Sequence, residues 1–349
     1  MKSVKLGEVC TIVSGTTPKT SVAEYWDGQI KWITPAELDE NSFYIYDTAR
    51  HITELGKSKS GLLFMPQGTV ILSSRAPIGK NAIAGCEMCC NQGFKNLICS
   101  DRVFNEYLYY FLSAKTDYLN SLGRGATFKE ISKGIVENIV IPLPNIEEQK
   151  AISEQFEQIN ILIASRKEQI QLLDDLVKSR FIEMFGEPTI NPLGWNLKKW
   201  AEVLTIKNGK NQSQVEDENG EYVICGSGGV MGKATNYITS ANSVIVGRKG
   251  NINKPILMRE PFWNVDTAFG IEPNREMLTA DYLFLFCLFF DFERLNKAVT
   301  IPSLTKSDLL EIDIPIPPLE LQNQFTTFVE QVDKSKYRAE FINKMEVAA

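Results

Sequence analysis

Across residues 146–185 apolar side chains fall at Ile152, Phe156, Ile159, Ile163, Ile170, Leu173, Val177 and Met184, four and three apart except for two gaps of seven, the first where Arg166 interrupts a seam position. A period of 3.5 is the heptad seam of a coiled coil. No Pro or Gly interrupts the stretch, Asn145 and Glu148 stand at reciprocal capping positions, and Gly186 and Pro188 supply the stop. The pattern predicts one helix of about 60 Å, longer than either neighbouring core would bury. After Pro318 a second stripe, Phe325, Phe328, Val329, Val332, Ala339, Ile342 and Met345, predicts a shorter helix. The two helices are expected to pair antiparallel and to hold two domains at opposite ends of a rod. The alternative is that each lies along its own domain as ordinary core.

Outside the helices the pattern repeats. NIVIPLPNIEEQ (Asn138 to Gln149) returns as EIDIPIPPLELQ (Glu311 to Gln322), at an offset of 173. TVILSSRAPIGK (Thr69 to Lys80) aligns with SVIVGRKGNINK (Ser243 to Lys254) at 174, and EYLYYFL (Glu106 to Leu112) with DYLFLFC (Asp281 to Cys287) at 175. LGEVCTIVSG (Leu6 to Gly15) resembles WAEVLTIKNG (Trp200 to Gly209), but at 194. One fold is therefore built twice, and the first copy carries about 20 extra residues between Gly15 and Thr69. The β-branched runs read as strands, the Tyr107 and Tyr282 segments as short buried helices, and the I-P-x-P strands as ones that prolines keep from central positions. The expected fold class is α+β: two similar mixed domains with many short strands, 1–145 and 187–317, a central helix 146–186 and a C-terminal helix 318–349, related as a pseudo-twofold internal repeat.

Composition narrows the function. The longest apolar run, YLFLFCLFF from Tyr282, has nine residues, well short of the roughly 20 that span a membrane. No basic-then-apolar leader is visible, and seven scattered cysteines suggest reduced thiols, so a cytoplasmic address is expected. His51 is the sole histidine, and no phosphate-binding G-x-x-x-x-G-K-[ST] or adenine-holding Asn-Pro-Pro-aromatic motif is present. Intrinsic catalysis is therefore not expected. Cys86, Cys89, Cys90 and Cys99 have the chemistry for zinc, but the second copy has no equivalent set, and buried thiols are the expected state.

These residues resemble a known family. Two variable domains, each followed by an I-P-x-P strand and a long helix opening near E-x-Q, are similar to the specificity (S) subunit of type I restriction–modification systems. SRFIEMFG (Ser179 to Gly186) resembles the end of that family's central helix. VSGTTPKT (Val13 to Thr20), SSRAPIGK (Ser73 to Lys80) and VGRKGNINK (Val246 to Lys254) resemble blocks of its target recognition domains. The resemblance implies a non-catalytic subunit whose two domains each read half of a split target in double-stranded DNA. It implies helices that set the spacing, two methyltransferase (M) subunits on them, and motor–nuclease (R) subunits that complete the enzyme. S-adenosylmethionine, ATP and Mg would be held by those partners; no cofactor and no metal is expected on this chain. A coiled-coil adaptor without base readout is the rival reading.

Net charge of −6 is unusual for a DNA reader. Residues 1–145 carry 15 Lys/Arg against 14 Asp/Glu, 146–185 carry 5 against 8, 186–317 carry 13 against 16, and 318–349 carry 4 against 5. Affinity for DNA without partners is expected to be weak. The candidate contacts are small polar and basic loops after strands. In the first copy they are Ser14, Thr16, Thr17 and Lys19; Ser74, Arg75 and Lys80; Asn91, Gln92 and Lys95; and Arg124, Thr127 and Lys129. In the second they are Asn208 and Lys210; Arg248, Lys249, Asn251 and Lys254; Thr267; and Thr300. Arg, Lys, Asn and Gln read guanine and adenine edges. Loops shared by both copies are expected to hold phosphates or the fold. Base readers are expected where the copies differ, as in the insert from Tyr25 to Ser60 and the Gly226–Gly229 stretch.

Overall fold

The structure, a computed structural model, describes residues 2–39, 42–125, 129–298 and 300–348, with side chains described to residue 338. The chain divides into two compact units, Met1–Leu162 and Ile163–Ala349. The division falls inside the 40-residue helix Ile146–Phe185, not at its start. The reason is packing: Ile152 lies against the core of the first unit, whereas Val177, Phe181 and Phe185 belong to the core of the second.

Each unit is built from the same three sheets. In the first, a sheet runs in the order Cys10–Val13, Asn96–Cys99, Val70–Leu72, Asn81–Ala84, Tyr44–Ile45. In the second, the order is Leu204–Asn208, Ala268–Pro273, Ser243–Gly247, Ile256–Met258. Val70 faces Leu97 across the first pairing, and Val244 faces Ile271 across its counterpart. A three-stranded sheet follows the same plan: Trp26–Ile33 runs parallel to Cys89–Cys90, and Tyr222–Gly226 parallel to Phe262–Asn264. The extra residues of the first unit supply the edge strand Tyr44–Ile45 and the short helix Glu54–Lys59. The proline-bearing strands Val140–Pro142 and Asp313–Ile316 sit in separate two-stranded ladders, against Ser3–Lys5 and Asn196–Lys199, where a missing amide leaves no central ladder broken.

The apolar helices Asn105–Ser113 and Ala280–Phe289 are buried beside these ladders. Tyr107 donates its hydroxyl to the Pro142 carbonyl and Tyr282 to that of Pro315, both at 2.9 Å. The acidic residue in the first turn of each helix is satisfied differently. Glu106 accepts from Tyr44 of the added strand at 2.7 Å, whereas Asp281 takes a two-pronged ion pair from Arg259 at 2.6 and 3.1 Å.

The root of each long helix is held by one buried glutamine. Gln149 Oε1 accepts the Phe104 amide at 2.8 Å, and its Nε2 donates to the carbonyls of Arg102 and Pro144 at 3.0 and 2.9 Å. Gln322 Oε1 accepts the Thr279 amide at 2.9 Å, and its Nε2 donates to Met277 and Pro317 at 2.9 and 2.9 Å. Neither side chain reaches solvent. An amide is suited to this place because it offers both an acceptor and two donors; a carboxylate would lack the donors.

Within the second unit the later turns of the central helix pair antiparallel with Leu319–Ala348. Phe325 meets Phe181 and Phe185 with ring centroids 5.6 Å apart in each case. Eleven residues further along, Lys336 reaches back to Asp174 at 2.6 Å. Val177, Val329 and Val332 are buried in the seam, and Leu173 packs against it. Ile159, Ile163 and Ile170 remain half-buried. Both expectations therefore hold in part: the helices pair, and at their base the pairing merges with the core of this unit. Phe156 does not enter that pairing; it stacks on Tyr110 of the first unit at 5.1 Å. Ala339, Ile342 and Met345 lie outside the described side chains.

Replacing Gln149 or Gln322 by Ala leaves one buried amide and two carbonyls without their partner. Each substitution is expected to lower unfolding stability by about 2–3 kcal/mol, read from denaturant midpoints. A loss below about 0.5 kcal/mol, the range of ordinary surface changes, would show that the root is not held this way.

Candidate nucleic-acid interface

The candidate loops of the first unit meet beyond the ends of its central strands. The Ser74 amide donates to the Gly93 carbonyl at 2.8 Å, and the Ile131 amide to the Ser74 carbonyl at 3.0 Å. The Thr17 hydroxyl donates to Gln92 Oε1. A Cβ on Gly15 would fall 1.8 Å from the Cys90 carbonyl oxygen, so the turn after Cys10–Val13 is pressed directly onto the Cys90–Lys95 segment. The second unit repeats the frame. The Arg248 amide donates to Thr267 at 2.8 Å, the Leu304 amide to Arg248 at 2.9 Å, and the Lys210 amide to Asn264 at 3.0 Å. A Cβ on Gly209 would lie 1.8 Å from the Val265 carbonyl oxygen. Four chain segments distant in sequence are thus gathered into one cluster per unit.

The chemistry inside the two frames differs. In the first, Arg75 Nε donates to Glu130 Oε2 at 2.9 Å, and Lys95 Nζ reaches Glu130 Oε1 at 3.1 Å and Ser74 Oγ at 3.3 Å. Lys95 is buried; Arg75 is half exposed. Burial pushes the Glu130 carboxyl up, but the hydrogen bonds and charges of Lys95 and Arg75 outweigh this and hold it below the usual glutamate range. In the second, Lys249 pairs with Ser303 across the bridge that Arg75 makes with Glu130. Arg248 sits 5.9 Å from the centre of the Phe269 ring and points an Nη1 towards the Asp266 carbonyl at 3.5 Å.

The other candidates divide by what they already touch. Thr16 donates to the Ser60 carbonyl at 3.0 Å, which ties this turn to the end of the insert. Lys80 donates to the Leu38 carbonyl at 2.8 Å, and Asn91 Oδ1 accepts the Gly93 amide at 2.7 Å, so both serve the fold. The Arg124 backbone brackets Glu130, donating at 3.1 Å and accepting at 3.0 Å. Ser14, Lys19, Gln92, Lys129, Asn208, Lys210, Lys249, Asn251, Lys254 and Thr300 are exposed, and Thr267 half-buried. Thr127 lies outside the described residues. The Gly226–Gly229 stretch turns between strands Tyr222–Gly226 and Gly229–Ala234. A Cβ on Gly228 would lie 3.9 Å from Asn251, which puts this turn beside the Arg248–Lys254 loop. Glu130 was not anticipated from sequence; the signal was available in the aligned blocks, where Lys129-Glu130-Ile131 stands against Pro302-Ser303-Leu304.

All seven cysteines are free thiols. Cys90 is buried and accepts from Asn96 at 2.9 Å, and Cys10 faces Cys99 across adjacent strands, each arrangement serving the sheet. Among the described residues no group of three or more His, Cys, Asp or Glu is placed to hold a metal ion. No described helix is long and apolar enough to cross a membrane.

Two copies of one mixed fold, each with a loop-borne polar and basic cluster and each rooted on a long helix, define a class of paired recognition modules. Comparison with known proteins agrees. The family model for the type I restriction modification DNA specificity domain matches residues 1–174 and 192–345, and the chain belongs to that family. It is 30% identical over 369 aligned positions to the type I restriction enzyme MjaIX specificity subunit of Methanocaldococcus jannaschii, covering 93% of this chain and 85% of that one. It is 25% identical over 167 positions to the EcoR124I/EcoR124II specificity subunit of Escherichia coli, covering 46% and 41%. Among solved structures, the type I S subunit from M. genitalium shares the fold with a TM-score of 0.60 at 15% identity, covering 99% of this chain and 93% of that one. A chain from a structure of the type I R-M system gives 0.64 at 18% identity, covering 99% and 94%.

Because Glu130 ionises more readily when folded, its ion pairs add stability above the ordinary carboxyl value of 4.5, and that contribution fades as pH falls through the lower folded value. Glu130→Gln is therefore expected to be less stable than the parent near neutrality and to converge with it in acid. Unfolding midpoints measured from pH 7 to about 3 check this, spanning the ordinary carboxyl range. A gap that stays constant over that range would contradict it.

Proposed function

We propose that each unit reads one half of a split target in double-stranded DNA, and that the paired helices set the distance between the halves and receive two methyltransferase subunits. The observation that carries this reading is the duplicated frame: the same pair of amide-to-carbonyl contacts, with the same close approach of a glycine turn, gathers the same four segments in both units, while the side chains they present differ. A shared frame with different side chains suits two readers of unlike half-sites, so the target is bipartite and not palindromic.

The chain supplies recognition and no reaction step. S-adenosylmethionine belongs to the methyltransferase subunits, and ATP and Mg to the motor–nuclease subunits that join them. The setting is the cytoplasm. The near-neutral or acidic charge of each region leaves much of the phosphate neutralisation to those partners, so binding to DNA by the chain alone is weak at about 150 mM salt. The proposed reading domains are 1–145 and 187–317, with 146–186 and 318–349 as the spacer helices. A 40-residue helix is about 60 Å long and matches about 16–18 base pairs of duplex at 3.4 Å each. That length accommodates two short half-sites and a spacer.

Lengthening both helices by one turn, about four residues, adds about 6 Å and is expected to shift the preferred spacer by one to two base pairs without altering either half-site. Mapping methylated sites with the assembled complex reads this directly. A change in half-site bases with an unchanged spacer would refute the spacing role.

A further inference from the structure

We infer that Arg75 reads a guanine in the half-site of the first unit, and that Glu130 is the positioning residue that aims it. The inference rests on the DNA-reading function proposed above and adds the residue and the base.

Arg75 leaves the loop after Val70–Leu72 with its side chain half exposed. Its Nε is committed to Glu130 Oε2 at 2.9 Å, and among the described residues its two terminal nitrogens have no partner. A guanidinium held by its Nε edge presents two parallel N–H donors outwards. The major-groove edge of guanine displays two acceptors, O6 and N7, at the matching spacing, and no other base does. Glu130 is itself fixed from behind: buried Lys95 donates to its other oxygen at 3.1 Å and to Ser74 at 3.3 Å. The fork is therefore oriented before DNA arrives, and little rotamer freedom is lost on contact.

The same geometry argues against a phosphate as the partner of Arg75. A backbone phosphate carries a full negative charge, shared by its two non-bridging oxygens, and would meet the carboxylate that grips the guanidinium from the other side. Guanine O6 and N7 carry partial charge only, so the carboxylate is tolerated there. The second unit keeps the backbone bridge but replaces the chemistry, with Lys249 in place of Arg75 and Ser303 in place of Glu130. A point-charge lysine without a buttressing carboxylate lacks the planar fork, so the second half-site does not share this contact.

The test uses the full chain assembled with its methyltransferase subunits, after its target has been mapped from methylated sites. Duplexes carrying 7-deazaguanine, which lacks the N7 acceptor, at each guanine of the first half-site are compared by competition binding. One position is expected to weaken the parent complex about tenfold, with no further loss in Arg75→Ala. Arg75→Ala itself is expected to bind the target about ten- to a hundredfold more weakly, the scale of a bidentate base contact. Arg75→Lys does not restore binding, because it keeps the charge and loses the fork. Glu130→Gln keeps the shape and is expected to accept other bases at that one position while the second half-site stays unchanged, a readout that a purely structural role would not move. A first half-site without guanine on either strand, or parent binding indifferent to 7-deazaguanine at every position, overturns the inference. Exchanging residues 1–145 for those of another specificity subunit separates the two levels. If the exchange alters one half-site but Arg75→Ala does not, only this inference fails; if the exchange leaves both half-sites as they were, the reading function itself fails.

Discussion

One buried side chain per unit ties the recognition fold to its helix. Gln149 and Gln322 each close three hydrogen bonds between the first turn of a long helix, the loop entering the buried helix of the unit, and the proline end of the I-P-x-P strand. The tyrosine hydroxyls of Tyr107 and Tyr282 fasten those strands to the buried helices from the other side. A helix fastened in this way moves with its own unit. That coupling is what a spacing device requires: a helix free to swing at its root would fix no distance, however stiff along its length.

From the root outwards the two units diverge in a graded way. The ladders, buried helices and root contacts are nearly superimposable in pattern. The sheets differ by one edge strand. The loop frames share their backbone bonds and differ in side chains. Glu106 finds a tyrosine and Asp281 an arginine at the same helical position, so even a shared acid is satisfied by whatever the unit-specific segment supplies. Variation thus concentrates in the loops, the segments that most often carry binding in a fold, and leaves the support intact.

Much of this was legible in the sequence because it follows from periodicity. The long helix of residues 146–185, the twin I-P-x-P strands, the buried helices around Tyr107 and Tyr282 and the location of the insert all depend on local pattern, and tandem copies in one chain supply their own alignment. Two things depended on three-dimensional context instead. Composition could not tell a lysine that faces solvent from one spent inside: Lys80 reaches the Leu38 carbonyl and Lys95 is buried on Glu130, whereas Lys19 and Lys129 remain exposed. Nor could it show that Glu130, an acid in a candidate anion-binding loop, sits between two cations and so shapes the site instead of spoiling it. The helix stripe likewise did not reveal that Phe156 turns to Tyr110 while Val177 enters the seam, since both satisfy the same period.

The coupling of each unit to its helix is tested most directly by amide hydrogen exchange at Phe104 and Thr279, the two N–H groups that the root glutamines accept. Both lie at the entrance to a short helix, where an unpaired amide would exchange like a surface loop. If the roots are closed as described, both amides exchange only through opening of the whole unit, with protection equal to that of the central strand residues Val70 and Val244. Exchange at either position as fast as at the exposed loops, with the central strands still protected, would mean that the helix is free at its base.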